Sequence, residues 1–118
     1  MVKTKDKRVR ERISLHDVRG TVEIDDTLKP VTVLNASEEG VCIAGAAIET
    51  GTVVRLSIED TLGLGAFSLY CRSAWSSSKK KPDKLTGLFL LNTNKVLFTK
   101  DLATFNRLID TVRRQRNP

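Results

Sequence analysis

Two short patterns contain residue types suited to binding an anionic ligand. The first is Arg8-Val9-Arg10-Glu11-Arg12, which places two arginines four residues apart. The second is Asn35-Ala36-Ser37-Glu38-Glu39-Gly40, which combines an amide, a hydroxyl and a glycine. A guanidinium is a planar fork that can bind two phosphate oxygens, or the O6 and N7 atoms of guanine. The amide adds an acceptor oxygen and two N–H donors. The second pattern also has a plainer interpretation as a β-turn, because Asn, Ser and Gly are common turn residues.

The charge balance of the chain also favours an anionic partner. The 118 residues include 20 Lys and Arg against 14 Asp and Glu, for a formal net charge of +6. Such an excess is typical of proteins that bind a nucleotide, a nucleic acid or an acidic surface. Residues 1–12 contain six basic and two acidic side chains and almost no apolar ones. We predict a flexible basic arm over residues 1–12, carrying the arginine pair, because such a segment cannot form a core by itself.

The sequence offers little that could support catalysis. His16 is the only histidine, and it has no partners at metal-ligand spacing. None of the serines lies in a Gly-x-Ser-x-Gly motif. The acidic pairs Asp25-Asp26 and Glu38-Glu39 are sequence neighbours, and neighbouring strand residues point to opposite faces. We therefore predict a binding protein rather than an enzyme, with no metal and no cofactor.

Cysteine usage and hydropathy bear on the cellular compartment. Cys42 and Cys71 are too few for a disulfide framework, and we interpret them as two reduced, buried thiols. A lone disulfide or a two-ligand metal site is the alternative. No apolar run approaches the roughly 20 residues of a membrane helix, and no apolar segment follows the basic N-terminus. These features predict a cytoplasmic protein without membrane insertion.

Alternation of apolar and polar residues with a period of two predicts about six short strands. We expect these strands near residues 18–25, 31–34, 41–44, 52–59, 66–76 and 85–92. Asp25-Asp26 and Lys29-Pro30 mark a turn between the first two strands. In the fifth strand, alternation places Trp75 on the same face as Phe67.

The period changes to a helical one near the C-terminus. Leu102, Phe105, Leu108, Ile109 and Val112 recur at spacings of three and four, which predicts an amphipathic helix over about 100–115. Thr99 is the candidate N-cap of this helix. Six strands followed by one helix indicate a small antiparallel barrel or sandwich, with the helix covering an open end or edge.

Taken together, the two motifs resemble those of the PilZ domain family. Arg8 and Arg12 match the family's Arg-x-x-x-Arg pattern, and Asn35, Ser37 and Gly40 match its Asp/Asn-x-Ser-x-x-Gly pattern. By chance, about 0.8 matches to the first pattern and about 0.05 to the second are expected in this chain. The resemblance covers nearly the whole chain. It implies a mainly β fold over residues 13–118, namely a six-stranded antiparallel β-barrel (PilZ-like) with a C-terminal amphipathic α-helix. It also implies binding of the bacterial second messenger cyclic di-GMP.

The resemblance assigns the ligand contacts to the five motif residues. Family members often have Asp where this chain has Asn35; a carboxylate can accept from both guanine N1–H and N2–H, so Asn35 is expected to alter the affinity. Ser37 offers a short hydroxyl. Gly40 is expected to provide a positive φ or close approach to the ligand.

Three further residues are secondary contact candidates: Lys7, Val9 and Trp75. The residue before the arginine motif influences whether family members bind one ligand or a stacked pair, and Lys7 leaves that stoichiometry open. Trp75 either stacks on a guanine face or packs in the core; the sequence does not decide between these roles.

Two alternatives to a cyclic di-GMP receptor remain. A nucleic-acid-binding barrel of OB or cold-shock type would use the same net charge, but it needs exposed aromatic residues interleaved with basic ones. The six aromatic residues form no such cluster in the sequence, so DNA or RNA binding is not expected. The other alternative is a PilZ-like adaptor that has lost its ligand. A receptor consisting of one domain must act through a downstream protein, which the sequence does not identify.

Overall fold

The computed structural model of the chain describes residues 12–77 and 84–116. Residues 1–11, which carry Arg8 and most of the predicted arm, lie outside this part of the chain. The described elements are, in order, β1 Ile13–Ser14, β2 Arg19–Ile24, β3 Thr27–Ser37, β4 Gly40–Ala44, β5 Val53–Ile58, β6 Phe67–Ser76, β7 Leu85–Leu90, α1 Thr93–Leu97 and α2 Thr99–Arg116.

Within the described residues, six strands close into a barrel in which every pairing is antiparallel. The pairings run β3–β2–β5–β6–β7–β4 and return from β4 to β3. The two-residue strand β1 adds to β3 outside this ring. Closure removes the exposed strand edges that an open sheet would leave. The predicted six-stranded barrel with a C-terminal helix is therefore confirmed.

The core occupies the inside of the barrel, where alternate residues of each strand point inward. Val22, Val33, Leu56 and Ile43 are fully shielded from solvent. The apolar face of α2 covers one end of this core: Phe105, Leu108 and Ile109 are at most 1% exposed. The apolar face of α2 and the inward apolar side chains of the strands thus bury each other.

The hairpin between β2 and β3 is tighter than the sequence suggested. Asp25 and Asp26 have φ values of 46° and 66°, the geometry of a two-residue type I′ turn. The prediction that Lys29-Pro30 belongs to this turn was wrong, because Lys29 pairs with Val22 and Pro30 with Thr21 inside the ladder. Pro30 is tolerated there since β4 joins the other side of β3 only from Thr32 onward.

The short helix α1 was not expected, and polar side chains attach it to the barrel. β7 ends at Leu90, so the preceding part of β6 lacks a strand on that side. The buried Asn94 fills the gap: its Nδ2 donates to the carbonyl of Tyr70 at 2.8 Å, and its Oδ1 accepts from the Tyr70 N–H at 3.0 Å. The Asp101 carboxylate accepts from the Ser68 N–H at 2.7 Å. Side chains of both helices therefore complete the β6 edge.

The start of α2 differs by one residue from the prediction. Thr99 is the first helical residue rather than the N-cap. The cap position belongs to Phe98, whose carbonyl accepts from the Leu102 N–H at 2.9 Å. The Phe98 ring packs 5.2 Å from that of Tyr70, measured between centroids. The residue that precedes the helix is therefore packed on β6.

Both cysteines are free and buried, as predicted. No three His, Cys, Asp or Glu residues of the described ranges are grouped closely enough to hold a metal ion. None of the described helices is long and apolar enough to cross a membrane.

Candidate functional site

Strand register brings four residues into one line on the outside of the barrel. Asn35 of β3 pairs with Cys42 of β4, Cys42 pairs with Gly87 of β7, and Gly87 pairs with Trp75 of β6. We call these four residues the outer row. Since neighbouring strands lie about 4.8 Å apart, the row extends about 14 Å between its end Cα atoms. Its middle is formed by two small residues and its ends by an amide and an indole.

Arg12 lies at the amide end of the outer row. Its Nη1 donates to Oδ1 of Asn35 at 2.9 Å, although the two residues are 23 positions apart in sequence. The arginine is exposed, but the next residue, Ile13, is buried and pairs with Ala36. β1 therefore anchors the point where the basic arm meets the barrel, and it holds one arginine of the predicted pair against the second motif.

The charge of Arg12 also reaches the middle of the row. Burial raises the pKa of the Cys42 thiol, and the Arg12 guanidinium opposes part of that rise. Cys42 is only 9% exposed, so the thiol is neutral and almost covered. The arrangement places one cation beside the middle of the row.

Trp75 is on the outside of the barrel, which corrects the face predicted for it. The pairing of β6 with β7 shifts between Ser73 and Trp75, so Ala74 is an extra residue and the alternation changes phase. Ser73 is 1% exposed and points inward, whereas Trp75 is 47% exposed. A core role for the indole is therefore excluded.

The Trp75 indole lies directly against the backbone of Gly87. A Cβ built on Gly87 would overlap the Nε1, Cε2 and Cδ1 atoms of the ring. Only glycine lets the ring lie this close to β7. Gly87 was not among the predicted site residues, although an isolated glycine inside a strand is a signal of close approach.

In the hairpin that carries the second motif, Ser37 and Gly40 make contacts that stabilise the hairpin itself. Ser37 pairs with Gly40 across a two-residue turn, and the buried Ser37 Oγ accepts from the Glu39 N–H at 3.3 Å. The expected positive φ at Gly40 was wrong: its φ lies outside the positive region. Glycine is required there because any Cβ would overlap the carbonyl oxygen of Leu88 on β7. Direct ligand contacts by Ser37 and Gly40 stay predictions.

A second line of paired residues lies next to the outer row, two residues further along β7. Gly40 pairs with Phe89 of β7, and Phe89 pairs with Arg72 of β6. Phe89 is 54% exposed and Arg72 is also exposed. Sequence reasoning missed both residues as site candidates, although the buried Leu88 beside Phe89 implies an outward ring.

The fold therefore brings together Arg12, Asn35 and Trp75, and it places Ser37 and Gly40 in the adjoining hairpin. The other three predicted site residues, Lys7, Arg8 and Val9, lie outside the described residues.

Comparisons with known proteins support the fold through structure rather than sequence. The sequence matches no protein-family model and no curated protein. The PilZ domain of YcgR from Escherichia coli, solved with c-di-GMP, superimposes with a TM-score of 0.69 at 16% identity, over 93% of this chain and 94% of that one.

The larger YcgR structure in complex with c-di-GMP gives a TM-score of 0.68 at 14% identity, over 94% of this chain. The match covers 50% of that protein, so the chain spans about half its length. This similarity over nearly the whole chain shows that the chain has the fold of a PilZ domain.

Proposed function

We propose that this chain is a bacterial cyclic di-GMP receptor that binds its ligand on the outer row and carries no catalytic activity. The observation that carries the proposal is the Arg12–Asn35 hydrogen bond of 2.9 Å, which places an arginine of one motif on the amide of the other. The two structural neighbours are described as bound to c-di-GMP, which supports the same ligand class.

The polar end of the row suits a guanine nucleotide. The Asn35 Oδ1 accepts from Arg12, so its Nδ2 is directed to other partners. An N–H donor matches the O6 and N7 acceptors on the guanine edge. A guanidinium has five N–H donors, and one serves Asn35, so the others can reach a phosphate. In this proposal Asn35 acts as a donor to the ligand, a role that an aspartate could not have.

The remainder of the row suits a planar base. Cys42 adds little side chain above the sheet, and the Trp75 ring lies over Gly87 with about half of its surface exposed. A base stacked on an exposed aromatic ring gains about 1–3 kcal/mol. The site thus combines one charged end for phosphate and guanine edges with one aromatic end for a guanine face.

The arm would complete the site. Arg8 lies four residues before Arg12, and Lys7 and Val9 flank it, so the three can approach the ligand from the side opposite the sheet. Ordering the arm costs conformational entropy, which its charge-assisted hydrogen bonds must exceed. The ordered arm presents a new surface, through which the receptor signals to a protein partner in the cytoplasm.

Calorimetric titration with cyclic di-GMP at moderate salt tests the proposal, with GMP and cyclic GMP as controls. We expect saturable binding of the dinucleotide alone, and the stoichiometry distinguishes one ligand from a stacked pair. Absence of heat and of thermal stabilisation, with folded protein, would overturn the receptor function.

Variants locate the site. Arg12→Ala and Arg8→Ala should each weaken cyclic di-GMP binding by about 10-fold or more, because each removes charge-assisted hydrogen bonds. Arg55→Ala is the control: Arg55 is, like Arg12, an exposed arginine, but it lies on β5, away from the outer row. Unchanged affinity in both arm variants would contradict the assignment.

Trp75 provides an optical readout, because it is the only tryptophan and is half exposed. Stacking of a base should change its fluorescence with the same affinity that calorimetry measures. A Trp75→Leu variant should lose the signal and bind more weakly, whereas unchanged calorimetric affinity would remove Trp75 from the site.

A nucleic-acid-binding barrel is the second candidate, favoured by one observation. Trp75, Phe89 and Arg72 together expose aromatic and basic side chains on one face. Fluorescence anisotropy with single-stranded RNA and DNA at roughly 150 mM salt distinguishes the candidates. Tight binding of either polymer, without binding of cyclic di-GMP, would favour this second function.

A further inference from the structure

We propose that Arg72 of β6 determines base specificity in the cyclic di-GMP site, where its guanidinium binds the O6 and N7 atoms of the guanine that stacks on Trp75. This inference rests on the proposed function and adds to it the residue that selects the base at the aromatic end of the outer row. Arg72 belongs to neither sequence motif, and only the strand register places it beside the site.

The aromatic end of the outer row cannot select guanine without help. Every base has a π face, so stacking on the Trp75 ring accepts any base. The two middle residues of the row add no selecting group, because Gly87 has no side chain and the Cys42 thiol is almost covered. The nearby Thr86 hydroxyl is buried and donates to the carbonyl of Ala46 at 2.7 Å. A group that reads the base edge must therefore come from outside the row.

Arg72 points to the same outer face of the barrel as Trp75. Its neighbours on β6, Cys71 and Ser73, are 0% and 1% exposed, whereas Arg72 is exposed. Three positions separate Arg72 from Trp75, and one of them is the extra residue Ala74. β6 and β7 contain no other charged side chain. Arg72 is thus the one cation that the two strands beneath the Trp75 ring supply.

Phe89 connects Arg72 with the outer row. It is the direct cross-strand partner of Arg72, so the Cβ atoms of the two residues lie about 5 Å apart. It also follows Gly87 by two residues, which places it about 7 Å further along the same face of β7. Since the Trp75 ring lies over Gly87, a base stacked on that ring has Phe89 beside it and the long Arg72 side chain within reach.

A guanidinium suits the guanine edge that such a base presents. O6 and N7 are adjacent acceptors, and the planar fork can donate to both at once. Adenine keeps N7 but has an amino donor in place of O6, so the same fork loses one of its two hydrogen bonds. No hydrogen bond or ion pair joins the Arg72 guanidinium to another described residue, which leaves its donors available to a ligand.

Calorimetric titration of the full chain with cyclic di-GMP and with cyclic GMP–AMP tests the proposal. The mixed dinucleotide keeps both phosphates and one guanine, and it replaces the other guanine with adenine. The wild type should bind cyclic di-GMP about 10-fold or more tightly than the mixed dinucleotide. Arg72→Ala should weaken cyclic di-GMP binding by about 10-fold and weaken the mixed dinucleotide less, so the ratio of the two Kd values should fall toward one.

Two further variants separate the guanidinium fork from its charge. Arg72→Lys keeps the cation, so it should recover part of the affinity for both dinucleotides without recovering the discrimination. Lys84→Ala is the matched control, because it removes an exposed cation immediately before β7. It should weaken both ligands alike through the loss of general attraction and leave the ratio unchanged. Thermal melting verifies that each variant folds.

The outcomes separate this proposal from the receptor function. A wild type that binds neither dinucleotide would overturn the receptor function and this inference with it. Binding of cyclic di-GMP without discrimination, or a ratio that Arg72→Ala leaves unchanged, would overturn the role of Arg72 alone. So would a ratio that Arg72→Lys restores in full or that Lys84→Ala lowers equally, because charge rather than the fork would then select the base. A ratio lowered by Arg72→Ala and Arg72→Lys but not by Lys84→Ala would support the proposal.

Discussion

The inner and outer faces of β4, β6 and β7 carry different kinds of side chain, although they belong to the same strands. Inward, Ile43, Leu69 and Leu88 are at most 1% exposed and fill the barrel with bulky apolar side chains. Outward, the same strands mix small residues with large exposed ones, namely Cys42 and Gly87 with Arg72, Trp75 and Phe89. The need to fill the barrel constrains the volume of the inner residues, whereas the outer residues differ widely in size.

This difference explains why the candidate site lies on strands rather than on a loop. A ligand site needs side chains whose positions are set by surrounding structure. Strands packed on a filled barrel provide that rigidity, and their outer face is open to a ligand. Four predictions compare what residues of the two faces contribute to the stability of the fold. They are given in order of decreasing expected effect.

The strongest test compares two neighbours on β7 that point to opposite faces. Leu88→Ala should lower the free energy of unfolding by about 2–5 kcal/mol, because it leaves a cavity in the barrel. Phe89→Ala should lower it by about 0.5 kcal/mol, because the ring is 54% exposed. Urea unfolding midpoints measure both values. Similar losses in the two variants would show that the faces are not energetically separate.

The next test concerns the place where the barrel wall is completed by side chains instead of a strand. Asn94→Ala should cost about 2 kcal/mol, because it removes the acceptor of the Tyr70 N–H and one of the two donors to the Tyr70 carbonyl, the other being the Leu91 N–H. Asn106→Ala, an exposed change on α2, is the control and should have little effect. A loss in Asn94→Ala no greater than in this control would contradict the structural role of α1.

The two thiols provide a pH-dependent comparison of the faces. Burial raises the pKa of Cys71 from 9.0 to about 12 in the folded chain. Above the unfolded pKa the unfolded chain loses this proton first, so the stability falls as pH rises between 9.0 and about 12. The loss from this one group should be about 1.4 kcal/mol near pH 10.

Unfolding measured across that pH range for the wild type and Cys71→Ala checks this expectation. The variant should show the shallower decline, and Cys42→Ala should differ less from the wild type because Arg12 opposes the shift at Cys42. Thiol labelling should modify Cys42 before Cys71. Equal labelling rates in folded protein would contradict the assignment of the two faces.

The smallest effect is expected at the rim of the outer surface. Glu38→Gln removes the negative charge from the 3.3 Å contact with Arg113, where both side chains are more than one-third exposed. Exposed ion pairs contribute about 0.2–1 kcal/mol, and salt screens them. The unfolding midpoint should therefore change little, and the difference should shrink in about 0.5 M salt. A larger loss would mean that the hairpin and α2 depend on each other.

Sequence periodicity predicted most of the fold because strand alternation is a local property. The strands predicted at 52–59 and 66–76 are β5 and β6 within one or two residues, and the predicted C-terminal helix is α2. The motif residues Asn35 and Gly40 were identified by their types and spacing. α1 escaped prediction because it has five residues and depends on Asn94 meeting the β6 edge.

What the sequence by itself determined is the set of elements, the excess positive charge and the residue types able to bind a nucleotide. The register between strands that are distant in sequence was decided only by the tertiary structure. It aligned Asn35, Cys42, Gly87 and Trp75 in one row, since their pairing depends on barrel closure rather than on local pattern. One extra residue at Ala74 moved Trp75 to the outside, because a change of phase in a strand exchanges its two faces.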